Sequence, residues 1–175
     1  MKLPALLAFL LALSSQAFPA ADAPAPPLPM PTLEEAKARA QLLHAAIDGS
    51  LRVMHRDFFH KGDSKAIPSE SLKDVFKSMA EAWGVTIRWL ASEETIMNRD
   101  NKAIDAFQQK ALEKITTGSH EYSKFEEGKF RFAGVIVLQN QCLKCHVSDR
   151  RSLEDRFAAL EISMPAKPPV DAAKP

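Results

Sequence analysis

The sequence predicts an α+β domain in which helices cover an antiparallel sheet, and three observations lead to this fold class. Three stretches repeat apolar residues every three or four positions, which is typical of amphipathic helices. Other stretches are apolar in alternation or continuously, which is typical of half-buried and central strands. The order helix, helix, strand, helix, hairpin, strand lacks the regular alternation that a parallel α/β sheet requires.

The first helix is predicted to begin after Thr32, because Glu35 three residues later completes a capping box. Gly62 is its expected end. A second helix is predicted to follow Pro68-Ser69 and to end at Gly84, and a third to run from about Lys102 to Thr116. The apolar face of the first helix is expected to comprise Leu33, Ala36, Ala40, Leu43, Ile47, Leu51, Met54 and Phe58. That of the third is expected to comprise Ile104, Phe107, Ala111 and Ile115.

The strands are predicted from residue alternation and one turn. Residues 85–91 alternate and form the first strand. Residues 122–138 form a hairpin with its turn at Glu127-Gly128, and from Ala133 onward both sides of the second arm are apolar, which indicates a central strand. Residues 157–164 are expected to form a closing strand with a polar side, Glu161 and Ser163.

Composition limits the chain to one ordinary domain with flanking segments. It has 175 residues, of which 46% are hydrophobic and 26% charged, with a net charge of +1. Such a balance gives no electrostatic case for nucleic acid or for an anionic membrane surface. Residues 1–17 are typical of a secretory signal peptide, residues 18–31 of a Pro/Ala-rich linker and residues 166–175 of a disordered tail. Residues 32–165 are the predicted folded domain.

The leader predicts a secreted protein, periplasmic or extracellular. Its apolar run, residues 3–13, is shorter than the roughly 20 residues that span a bilayer. No transmembrane segment is expected after its removal.

The motif that predicts chemistry is Cys142-Leu143-Lys144-Cys145-His146, which has the C-x-x-C-H pattern of c-type haem attachment. Each cysteine sulfur would add to one haem vinyl group, and the histidine would then lie beneath the iron as its axial ligand. We therefore expect one covalent haem c bound at Cys142 and Cys145, with His146 as a metal ligand.

Three other interpretations of this motif are weaker. A dithiol redox site is expected in a βαβ context, which the sequence lacks. A zinc site needs a fourth ligand at short spacing, and no cysteine or histidine follows His146. A disulfide between Cys142 and Cys145 would close a very small loop and add little stability.

The motif does not identify the second axial ligand of the iron. His55 is the first choice, because it adjoins Phe58 and Phe59, whose rings suit packing against a porphyrin. His44 lies eleven residues earlier on the same helix, about 16 Å away, so only one of the two can reach the iron. Met54, Met97 and a vacant site remain alternatives, and a histidine at a core boundary is the competing explanation for either imidazole.

Four arginines are candidates for pairing with the haem propionates, since a guanidinium matches a carboxylate in shape. Arg150 and Arg151 closely follow the motif and are the preferred pair. Arg88 and Arg131 lie on predicted strands and are weaker candidates. A solvated pair of charges is the alternative for Arg150 and Arg151.

The residues 84–89, Tyr122, 130–134 and the motif at 142–146 together resemble a domain-of-unknown-function family of exported single-haem proteins. The resemblance covers roughly residues 32–165 and implies a PAS-like sheet with the first long helix over the distal side of the haem. Some relatives use a cysteine of that helix as distal ligand, whereas both cysteines here belong to the motif. The segment 92–98 also lacks the proline that such relatives carry.

Two functions follow as expectations. The first is an electron-transfer cytochrome, which predicts a six-coordinate haem and a redox partner protein. The second is a haem-based redox or gas sensor acting through a partner such as a membrane receptor, which predicts a vacant or weak sixth site. An enzyme such as a peroxidase would need a distal acid/base pair, which no pattern identifies. A four-helix-bundle cytochrome is disfavoured by the strand-like residues 130–138.

Overall fold

A computed structural model describes residues 29–60, 68–140, 142–146, 152 and 154–169. The described residues form four helices and a four-stranded antiparallel sheet, which confirms the α+β class. The elements in chain order are α1 (Leu33–His60), α2 (Pro68–Trp83), β1 (Thr86–Ala91), a 3₁₀ turn (Arg99–Asn101), α3 (Ala106–Thr116), β2 (Glu121–Glu126), β3 (Lys129–Leu138), α4 (Leu143–His146) and β4 (Arg156–Pro165).

The capping box predicted for α1 is present. The Glu35 backbone N–H donates to Thr32 Oγ1 at 3.3 Å, and the Thr32 N–H donates to Glu35 Oε2 at 2.7 Å. These two bonds satisfy donors that a helix start otherwise leaves without partners. The inward face of α1 is also as predicted at its start, since Ala36 and Ala40 are fully buried.

The sheet has the strand order β1-β4-β3-β2, so β3 and β4 are the central strands. The β2–β3 turn lies at Glu127-Gly128 as predicted, and both residues have positive φ, 52° and 74°. Two positive φ angles give a turn whose twist matches that of the flanking strands. The central position of β3 is confirmed.

The two faces of the sheet are covered by different helices. One face packs against α1 and α2 in a cluster that includes Phe132, Leu160, Ile162 and Leu143. The opposite face packs against α3 in a smaller cluster with Leu90 and Phe107. The helix α4 that carries the motif therefore belongs to the α1/α2 face.

One prediction about the bounds of an element was wrong. The third helix begins at Ala106 rather than near Lys102, because the Asp105 carboxylate accepts from the Gln108 N–H at 2.8 Å and caps it there. Ile104 consequently lies outside the helix and is 75% exposed. The closing strand is present as β4, and its two polar residues, Glu161 and Ser163, are both buried.

Three residues assigned by composition to the flanking segments form backbone hydrogen bonds. The Ala166 N–H of the tail donates to the Gly128 carbonyl of the domain at 3.1 Å, and Ala166 is buried. The Lys167 N–H donates at 2.8 Å to the carbonyl of Pro31, the last residue of the predicted linker. The predicted signal peptide, most of the linker and residues 170–175 lie outside the described residues. Within the described ranges, no helix combines the length and the hydropathy needed to cross a membrane.

Candidate functional site

The motif forms one helical turn directly after β3. The Cys142 N–H donates to the Gln139 carbonyl at 2.7 Å, and the His146 N–H donates to the Cys142 carbonyl at 3.1 Å. Residues one, four and five of such a turn lie on the same side of a helix. The backbone therefore places positions 142, 145 and 146 on one side.

Packing fixes this turn against the core. Leu143 is 1% exposed and is part of the cluster on the α1/α2 face, and the half-buried Cys142 packs against the same cluster. The side chain of Cys145 lies outside the described residues. A thiol at position 142 is thus held at the edge of an apolar region, where water access is reduced.

The imidazole of His146 is half-buried, and its surroundings shift its pKa. Burial lowers the pKa of its imidazole, a backbone hydrogen bond to Thr95 opposes that shift, and the nearby charge of His55 reinforces it. A lowered pKa keeps the ring neutral at neutral pH, which is the form that binds a metal ion.

The structure brings His55 into electrostatic range of His146, although the two residues are 91 positions apart in the chain. His55 Nδ1 donates to the Leu51 carbonyl at 3.0 Å. A carbonyl can only accept, so the proton is on Nδ1 and the lone pair is on Nε2. Leu51 itself packs against the same apolar cluster as Cys142.

His44 is held by the sheet instead. Its Nε2 donates to the Val135 carbonyl at 3.0 Å, and its ring meets Phe132 edge-on at 6.0 Å between centroids. A Cβ placed on Gly134 would lie 2.3 Å from His44 Cδ2. Gly134 is therefore the position at which the imidazole packs against the sheet.

The two methionine alternatives differ in exposure. Met54 is half-buried and lines a groove with exposed residues of α1, among them Ala46, Gly49 and Val53. Met97 is 63% exposed in the connector between β1 and α3.

The arginine candidates separate into two groups. Arg150 and Arg151 lie outside the described residues. Arg131 bonds to Glu161, Glu126 and Asp105 at the α3 face, and its guanidinium carbon is 4.2 Å from the centre of the Phe107 ring. These partners are on the opposite side of the sheet from the motif.

Arg88 also forms its hydrogen bonds on the α3 face of the sheet. Its guanidinium donates to Gln108 Oε1 at 2.9 Å and to the Asp100 and Lys102 carbonyls at 2.6 and 2.7 Å. Both strand arginines are therefore bonded to other groups of this chain on the α3 face of the sheet.

One buried acceptor on the motif side has no partner. Among the described residues, Asp48 Oδ1 is the buried side-chain oxygen that no donor reaches, while Oδ2 accepts from Arg52 Nε at 2.9 Å. On an α-helix Asp48 lies on the same stripe as His44, Leu51 and His55. In the part of the chain that the structure describes, α1 thus carries a buried acceptor without a donor.

The geometry defines an α+β domain with a cysteine and two imidazoles gathered at one end of its sheet. A family model described as Tll0287-like matches residues 30–161, and the chain belongs to this family. A solved structure of the cyanobacterial haem protein Tll0287 is similar to the chain at 16% sequence identity, with a TM-score of 0.48. The match covers 76% of this chain and 92% of that one. No curated protein sequence matches the chain.

Sequence reasoning missed the effect of Thr95, whose backbone hydrogen bond raises the pKa of His146 against the effect of burial. A backbone group leaves no side-chain signal in the sequence. The proximity of His55 and His146 was proposed from neighbouring aromatic residues rather than from any pattern linking the two.

Proposed function

We propose that this protein is an exported c-type haem protein that binds one haem covalently through Cys142 and Cys145, with His146 as an axial ligand. The observation that carries the proposal is the placement of positions 142, 145 and 146 on one side of a packed helical turn. Membership of the Tll0287-like family supports it, because the solved structure of Tll0287 is described as that of a haem protein. When bound, the haem iron supplies a one-electron redox change.

The protein's part is to hold the ligand and to limit solvent. Burial lowers the pKa of the His146 imidazole, which favours the neutral form that binds a metal ion. The apolar cluster around Leu143 offers a low-polarity wall for a porphyrin.

We assign the second axial position to His55. Support comes from its closeness to His146 and from the Leu51 carbonyl, which places the lone pair of His55 on Nε2. His44 is the matched comparison, since its ring is bonded to Val135 and packed on Phe132.

Two axial imidazoles would close the iron to small molecules, so electron transfer is proposed ahead of gas sensing. A redox partner protein is then required, whereas a sensor would act through a membrane receptor. Residues 1–17 support a periplasmic or extracellular site of action. The strand order, in which the last strand lies between the first and third, supports a PAS-like sheet. The proposal assigns no enzymatic reaction.

The test is the spectrum of full-length protein matured in a host with a haem-ligation system. His55→Ala is expected to convert a low-spin ferric haem to a high-spin one and to allow the ferrous form to bind carbon monoxide. His44→Ala, the matched control, is expected to keep the low-spin spectrum and to lower stability only. A high-spin wild-type haem would favour the sensor, and a low-spin spectrum unchanged in His55→Ala would remove His55 from the iron.

A further inference from the structure

The long helix α1 has an exposed apolar face in addition to the one that it packs on the sheet. Leu42 is 72% exposed and Val53 is 48% exposed. Ala45 and Ala46 lie between them and are also exposed. Helical residues three, four and seven positions apart lie on the same side, so these residues form one continuous surface, the outer face of α1. Exposed apolar surfaces of this kind mark places where another protein binds.

Gly49 lies on the outer face, in the interior of the helix. A Cβ placed on it would meet no atom within 4 Å beyond the helix's own backbone, so no contact in the described part of the chain requires a glycine here. Glycine in a helix interior is less favourable than alanine, because it loses more backbone freedom on folding. Gly49 lines a groove together with Val53 and Met54. A gap of this kind suits the close approach of a side chain from a second helix.

The outer face is complementary to its own reverse. Its residues follow one another at the intervals of three and four that are typical of a two-stranded coiled coil. They are Glu35, Ala38, Leu42, Ala45, Ala46, Gly49, Val53 and Arg56, all exposed. In an antiparallel pair with its two-fold axis between Ala45 and Ala46, Leu42 of each copy lies opposite Gly49 of the other. The largest side chain of the face then fills its gap, twice.

The charges at the two ends of the face favour the same pairing. Glu35 and Arg56 are equally far from the middle of the face, one at its amino end and one at its carboxyl end. An antiparallel pair places each Glu35 opposite an Arg56 of the other copy, where the charges attract. A parallel pair would instead place Glu35 opposite Glu35 and Leu42 opposite Leu42. The charge pattern therefore selects an identical chain in the antiparallel orientation.

We propose that the outer face of α1 is a docking surface for a second copy of this chain, which it binds as an antiparallel two-fold helix pair. The inference goes beyond the proposed function and does not depend on the haem. The face is about 30 Å long at the helical rise. A single helix pair of this length gives an interface at the small end of the specific range, so we expect a dimer that dissociates at micromolar concentration.

The first experiment measures the mass of the full-length exported protein in solution by light scattering, from about 1 to about 200 μM. Leu42→Asp places a charge in the interface and is expected to be monomeric throughout. Val75→Asp is the matched control, because Val75 is an apolar residue of α2 that is 50% exposed. It is expected to associate as the wild type does. Far-ultraviolet circular dichroism verifies that both variants are folded.

The second experiment tests the orientation of the pair. Gly49→Leu fills the gap and is expected to weaken dimerisation about tenfold or more, because two leucines then compete for one space. The double variant Leu42→Gly/Gly49→Leu exchanges the large and small positions and is expected to restore the dimer. In a parallel pair Gly49→Leu would add a leucine contact and strengthen association.

A wild-type chain that stays monomeric at the highest concentration overturns the inference and leaves a different protein as the occupant of this face. Association that survives Leu42→Asp places the interface elsewhere, and association that Gly49→Leu strengthens shows a parallel pair, so either result also overturns it. A colourless wild-type dimer would overturn the proposed function and leave this inference standing.

Discussion

The two faces of the sheet satisfy their polar groups in different ways. On the α3 face, Arg131 Nε donates to Glu161 Oε1 at 2.8 Å, and Gln108 Nε2 donates to Glu161 Oε2 at 2.7 Å. Arg131 also reaches Glu126 and Asp105, so the buried charges of this face are paired within the chain. On the α1/α2 face the wall is apolar, and Asp48 Oδ1 has no donor.

This difference indicates a division of tasks. The α3 face is complete without any added group, as is typical of a network that fixes strand register and stability. The face that carries the motif is apolar, and His55 acts on the pKa of His146 there, as the proposed haem site requires. Substitutions on the α3 face should therefore change stability, and those on the α1/α2 face should change the haem.

The largest expected effect is from Arg131→Met. Glu161 would remain buried without its cation, which costs about 3–5 kcal/mol of unfolding free energy. Denaturant unfolding measures the loss, and the optical spectrum of the folded fraction should be that of the wild type. Lys77→Met, which removes an exposed pair with Glu81, is the control and should cost under about 1 kcal/mol. An equal cost in both variants, or an altered spectrum in Arg131→Met, would contradict the claim that the α3 face serves stability and not the haem.

The next largest loss of stability is expected from Gly134→Ala. Its methyl group would overlap the His44 ring, which is bonded to Val135, so we expect a loss of about 1–3 kcal/mol. His44→Ala should remove most of that cost in the double variant, since the two positions are in contact. Additive losses would show that the clash is not with His44.

The loss of folding stability at low pH should depend on the carboxylates of the α3 face. Burial raises the pKa of Asp105, but the Gln108 N–H and Arg131 outweigh it, and the pKa is lowered overall. Lys124 and then Arg131 lower the pKa of Glu126 against the effect of burial. A carboxyl with a lowered pKa stabilises the fold fully above its ordinary pKa, about 4, and loses this contribution as the pH falls through the lowered value.

Thermal unfolding between pH 2 and 7 tests this sign. In Asp105→Asn the midpoint should fall less steeply below about pH 4 than in the wild type, with a difference under about 1 kcal/mol because Asp105 is partly exposed. Glu93→Gln, exposed and paired only with Lys102 in the described ion pairs, is the control. A steeper fall in Asp105→Asn would reverse the assignment.

The smallest expected effect is at Met97. Its exposed thioether should make Met97→Ala spectrally silent and nearly neutral in stability, within about 0.5 kcal/mol. A changed ferric spectrum would show that the connector rearranges to bring this residue to the iron.

Local signals were readable in the sequence and long-range pairings were not. The Thr32–Glu35 capping box and the Glu127-Gly128 turn each depend on neighbouring residues, and both were predicted. The pairing of buried Glu161 with Arg131, 30 positions away, left no signal in the alternation of the strand. The start of α3 had a signal, the Asp105 cap, which the apolar periodicity outweighed in the prediction.

For the site, the motif could be predicted because its chemistry is local. The meeting of His55 with His146 depends on how α1 crosses the sheet, and the Thr95 carbonyl leaves no trace in side-chain identity. Both required the three-dimensional arrangement.

The most direct test of the central claim is the intact mass of the denatured, acid-acetone-extracted protein after maturation with haem ligation. We expect the wild-type protein to have the mass of the polypeptide plus one haem. The Cys142→Ser/Cys145→Ser double variant is expected to have the mass of the polypeptide alone. A wild-type protein that loses its pigment to the solvent, or that carries no added mass, would contradict covalent attachment.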